Sequence, residues 1–105
     1  MRILIKASIP VEVGNRSIKD GSLPQKIQSI LADLKPEAAY FGTNERGERT
    51  AYLVVDLADS SKIPGAGEPL FLAFNAAVEV FPVMTAEDLM KAGPDIGAAV
   101  QKYAS

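Results

Sequence analysis

Residues 37–43 and 48–57 are two runs of strand-forming side chains separated by Asn44-Glu45-Arg46-Gly47. Asn at the first position of a four-residue turn and Gly at the fourth are type I preferences, and a type I turn followed by a glycine bulge closes a hairpin. This fixes an antiparallel pair in the middle of the chain, and the flanking segments must build outward from it. In the bulged register Tyr40 lies across from Tyr52, whereas a slip of one residue would put Phe41 in that place.

Upstream, residues 2–9 alternate around a β-branched, apolar theme until Pro10 stops them, which reads as a first strand. Gly14 and Gly21 punctuate the next stretch and leave room for a short helix over 16–20. A stronger helix follows. Ser22 is placed to cap it, Pro24 sits in its first turn, and Gln25 lies three residues after the cap. Ile27, Ile30, Leu31 and Leu34 then form one apolar stripe that needs a sheet to cover it, and Pro36 ends the helix. Downstream of the hairpin, Asp59, Ser60 and Ser61 offer caps for a helical region reaching residue 74. Pro64, Gly65, Gly67 and Pro69 are expected to interrupt that region, giving a broken helix or a loop followed by a short helix. Residues 77–84 read as a fourth strand. Thr85 caps a helix through residue 92, Gly93-Pro94 breaks it, and residues 95–103 form a last helical piece. The order is β-α-β-β-α-β with a helical tail, one α+β domain over residues 1–105. It predicts an antiparallel sheet with helices segregated to one face, the ferredoxin-like split βαβ sandwich.

Composition narrows the function classes. With 48% hydrophobic and 23% charged residues the chain can bury a core, so disorder is not expected. The net charge of −2 and the scatter of basic among acidic residues, as in Glu45-Arg46-Gly47-Glu48-Arg49, give no basic stripe for phosphates, so no nucleic-acid partner is expected. Cys and His are both absent, which removes thiolate chemistry, the commonest metal ligand and the commonest general base. No cofactor and no metal are implied. No apolar stretch approaches the ~20 residues of a membrane helix. Met1-Arg2-Ile3-Leu4-Ile5-Lys6 is charged too soon for a signal peptide, so a cytoplasmic location is the default expectation.

The strand period sorts side chains by face. Ile3, Ile5, Ala7 and Ile9, then Ala51, Leu53, Val55 and Leu57, then Val78, Val80, Pro82 and Met84 suit packing under helices. The opposite face is mixed. Leu4, Val54, Phe81 and Val83 are candidate interface residues, and Lys6, Ser8, Tyr40, Tyr52 and Glu79 are candidates for a ligand cavity behind that face. Lys6 and Glu79 read either as a site with shifted pKa values or, in the favoured reading, as a cross-strand ion pair. Tyr40 and Tyr52 fill an interface more readily than they bind a ligand. Asp56 is either a general base or a loop cap. Gly65-Ala66-Gly67 lacks the third glycine and the strand-to-helix context of a phosphate loop, so a flexible helix entry is the better reading. Asn15-Arg16-Ser17 matches a glycosylation acceptor, which means nothing without a secretory signal. Glu87 and Asp88 suit the first turn of a helix.

Residues 3–10 with Val11-Glu12-Val13-Gly14-Asn15, then Lys35-Pro36-Glu37-Ala38-Ala39-Tyr40-Phe41, and the run from Val78-Glu79-Val80-Phe81-Pro82-Val83 to Met84-Thr85-Ala86-Glu87-Asp88-Leu89 resemble a family of small uncharacterised bacterial proteins. The wider set is similar to the dimeric α/β-barrel, ferredoxin-like superfamily, and some members carry the label pantothenate synthetase. The resemblance implies a homodimer built by packing two sheets. It carries over no catalytic residue, because the chain lacks the His-containing nucleotide motifs of that enzyme and the His and Trp that enzymes of the barrel type use. Three functions follow as expectations. The first is a homodimeric small-molecule-binding or accessory protein. The second is a cofactor-independent barrel enzyme acting on a small organic substrate. The third is a structural interaction subunit.

Overall fold

The computed structural model describes residues 1–104. Four strands, β1 (Arg2–Ser8), β2 (Ala38–Thr43), β3 (Arg49–Asp56) and β4 (Ala77–Pro82), form one sheet in the order β2-β3-β1-β4, with every neighbouring pair antiparallel. Together with five helices this makes a mixed α+β protein. Strand β1 is central because both its edges are paired, and its alternation is complete: Ile3, Ile5 and Ala7 are buried to within 1%. Leu53 and Val55 continue that buried layer on β3, and Leu23, Ile30, Leu70 and Phe74 close it from the helices.

Helix α1 (Val11–Lys19) starts directly after Pro10, whose carbonyl accepts the Gly14 N–H at 2.9 Å. The short helix expected at 16–20 is therefore a longer one. Gly14 and Ser17 turn inward and are buried, so packing overrides the poor propensity of Val11, Val13 and Gly14. Helix α2 (Ser22–Leu34) follows Gly21, which takes the left-handed conformation at φ 76°. Asp20, not Ser22, satisfies the helix start: its carboxylate accepts the Ser22 N–H at 2.9 Å, while the buried Ser22 hydroxyl has no partner among the described residues.

The hairpin tip is held by Asn44. Its carbonyl accepts the Gly47 N–H at 3.0 Å, and its side chain accepts from the N–H groups of Arg46 and Glu48 at 2.9 and 3.0 Å. Gly47 has φ 75°, the left-handed conformation of a bulge glycine. Tyr40 accordingly pairs with Tyr52.

After β3, Asp59 caps a single 3₁₀ turn, Ser60–Lys62, which runs into α3 (Ile63–Phe74). The break expected here does not occur. Pro64 occupies the permitted first turn, and the residue four before Pro69, whose carbonyl that ring crowds, is the exposed Gly65. Gly65-Ala66-Gly67 is thus a turn of regular helix, neither a phosphate loop nor a flexible entry, with Ala66 and Gly67 buried. Strand β4 stops at Pro82, short of Met84. Thr85 and Asp88 then form a reciprocal capping box at the start of α4 (Ala86–Lys91), as the cap assigned to Thr85 requires. The helix breaks at Ala92, as expected before Gly93-Pro94, and a separate α5 (Gly93–Tyr103) follows with Pro94 in its first turn.

Candidate functional site

On the face away from α1–α3, register lays the side chains out in rows. One row reads Ala38, Val54, Leu4, Phe81, the next Tyr40, Tyr52, Lys6, Glu79, and a third Gly42, Thr50, Ser8, Ala77. Leu4, Val54 and Val83 are half-buried, while Phe81 and Tyr40 are 42% and 70% exposed. The candidate residues within the strands therefore share one face of the sheet, where Ser8 is buried, and Val83 lies just past the end of β4.

Their contacts differ from the expected ones. Lys6 stands across from Glu79 in register, yet its ammonium lies 3.4 Å from Glu45, which the hairpin tip brings over the sheet. The ion pair expected with Glu79 is not formed. Glu45 is held below the ordinary glutamate range, first by a hydrogen bond to its own backbone and next by Lys6. Arg46 pairs with Glu48 at 2.9 Å, and the Glu79 charge also acts on it. The Tyr52 hydroxyl donates to the Thr43 carbonyl at 3.4 Å. Ser8 is 2% exposed and its hydroxyl has no partner among the described residues. Arg2 pairs with Glu37 and lies 3.9 Å from Asp88 at the root of α4. Asp56 is exposed across from Arg2 in register.

The enclosed space sits on the other side of the sheet. A cavity of about 200 Å³ lies between α2 and the β2–β3 hairpin. Its closed end is buried and apolar, formed by Ile9, Leu23, Ile30, Leu53, Leu70 and Phe74. Its open end runs between Leu31 on α2 and Phe41 on β2, which are half-buried and 53% exposed. This cavity lies on the helix side of the sheet, apart from the mixed face, whose expected cavity would be closed only by a second sheet.

Arg49 is the one charged residue in that lining. It has the strand phase of Ala51 and Leu53, so β3 aims it at the helix side, and it borders the space opened by Gly14 in α1. One guanidinium nitrogen donates to the Asn15 side chain at 2.9 Å, its only side-chain hydrogen bond among the described residues. No carboxylate among the described residues lies within ion-pair reach of it. The half-buried guanidinium lies over Gly14 of α1 at the edge of the apolar chamber, and a guanidinium can take a carboxylate in two parallel hydrogen bonds.

The sequence carried one signal for this site that the reading above missed: a charge on the core-facing phase of β3. Among the described residues no three acidic side chains converge as metal ligands, and no helix is long and apolar enough to cross a membrane. No family model and no curated protein matches this chain.

Proposed function

We propose that this protein binds a small apolar carboxylic acid, without a catalytic step of its own, and works as a homodimer of the ferredoxin-like, dimeric α/β-barrel type. The observation that carries the ligand is the apolar chamber with Arg49 at its lining. An apolar cavity of ~150 Å³ suffices for benzene. A chamber of about 200 Å³ suits a ring or short branched chain with a carboxyl arm. The strand order β2-β3-β1-β4 and the resemblance described above support the fold type. The pairing rests on the mixed face, with Leu4, Val54, Phe81 and Val83 as apolar anchors and Lys6, Ser8, Tyr40, Tyr52 and Glu79 around them. The label pantothenate synthetase finds no support in these residues, since neither the chamber nor the mixed face offers a nucleotide motif.

Phenylacetate is a suitable probe. At roughly 0.5 kcal/mol for each of its ~10 heavy atoms it should bind with a Kd near ~0.2 mM. An amide-resonance titration should move Leu31, Phe41, Gly42 and Arg49, and benzyl alcohol, which lacks the charge, should bind more weakly. Arg49→Met keeps the apolar stem and removes the guanidinium. It should lower phenylacetate affinity about tenfold, the loss of one charge-assisted bidentate contact. Equal affinity of the two proteins for phenylacetate would remove Arg49 from the site and the carboxylate from the proposal.

A further inference from the structure

Helix α5 touches almost nothing. Every residue from Gly93 to Tyr103 is exposed, and Ile96, Val100 and Tyr103, at i, i+4 and i+7, are 51%, 56% and 77% exposed on one stripe. The radius of gyration is 17.4 Å and the longest extent 60 Å, against 29 and 20 Å for the other two axes. A compact chain of about 100 residues has a radius near ~13 Å, so the tail projects from the body. An isolated helix shorter than ~12–15 residues is marginal in water, and one carrying Gly93, Pro94 and Gly97 is more so. The stripe needs a cover that the described residues do not supply.

We infer that α5 is an arm that packs its Ile96–Val100–Tyr103 stripe against a second copy of this chain, extending the mixed-face interface. This rests on the homodimer reading above. Three features favour a second copy as the occupant. The arm follows β4 through the short α4, Phe81 of β4 lies on the mixed face, and Arg2 on the same face lies 3.9 Å from Asp88 at the root of α4. The two uncovered apolar surfaces, arm and sheet face, belong to the same chain, so a two-fold pair lets each copy cover those of the other. The arm spans about 16 Å at ~1.5 Å per residue, long enough to run past the edge of a four-stranded sheet.

The test uses the full chain in three forms: wild type, Ile96→Glu with Val100→Glu, and Ala98→Glu with Gln101→Glu. The last pair adds the same charge on the opposite side of the helix. Sedimentation equilibrium should give a wild-type dimer whose dissociation constant rises at least about tenfold in the stripe variant, as truncating anchor contacts does, and stays unchanged in the control. A photo-crosslinking residue in place of Tyr103 should join two chains. A wild-type dimer with equal dissociation constants in all three forms, or crosslinks confined to one chain, overturns the arm while leaving the homodimer. A monomeric wild type overturns the homodimer reading itself, and the arm with it.

Discussion

Gly14 and Arg49 set each other's geometry. A Cβ on Gly14 would lie 2.7 Å from the Arg49 Nη1 atom, too close for either to stay. The group that gives way is the end of a flexible side chain, so the fold tolerates the change while the guanidinium moves off. Gly14→Ala also replaces a helix-interior glycine, which favours α1 by up to ~1 kcal/mol. The expected outcome is a melting temperature no lower than wild type together with weaker phenylacetate binding. A variant that binds as well as wild type would show that the position of Arg49 does not matter. Ile30 and Leu31 are neighbours on α2 with different fates. Ile30 is 7% exposed, and Ile30→Ala should cost about 2–5 kcal/mol. Leu31 is half-buried and faces the chamber, where it has fewer contacts to lose, so Leu31→Ala should cost about 1–2 kcal/mol. Denaturant unfolding with the order reversed would mean that the chamber is not where the structure puts it. The helical period alone marked both residues as one stripe. It could not tell which member meets a neighbour and which borders a gap, because that depends on how α2 sits over β2.

At the scale of elements, α4 is six residues long and depends on its cap. The Thr85 backbone N–H, and next its side chain, hold the Asp88 carboxyl below the ordinary aspartate range, with Arg2 and Lys91 adding smaller charge effects. A carboxyl with a lowered folded value contributes stability above its unfolded value. That contribution is lost as pH falls through the folded one. Helix α4 should therefore fray only under acid conditions below the usual aspartate range, and Asp88→Asn should remove that pH dependence. Asp88 carboxyl chemical shifts check this, and titration at the ordinary aspartate value would contradict it. The Thr85 cap was legible because a capping box is local. Helices α1 and α3 were less so. The first is drawn together by burial of Gly14 and Ser17, and the second survives Pro69 because Gly65 stands where the ring crowds the backbone. Both reasons are visible only once the chain is folded.

For the whole molecule, the antiparallel hairpin and its Tyr40–Tyr52 register followed from turn chemistry, since Asn44 and Gly47 decide them within four residues. The alternation of β1 and β3 gave the two sheet faces for the same local reason. The position of the chamber did not follow, because α2 and the hairpin are brought together only by the complete sheet. Nor did the isolation of α5, whose stripe reads in sequence like that of any packed helix. In the proposed function two copies form the working unit and each holds one small acid beside Arg49. Native mass spectrometry of the protein with millimolar phenylacetate tests both parts in a single spectrum. The expected result is a species of twice the chain mass carrying up to two acid molecules, with the share of loaded species clearly lowered by Arg49→Met. A species of single chain mass with no acid bound would contradict it.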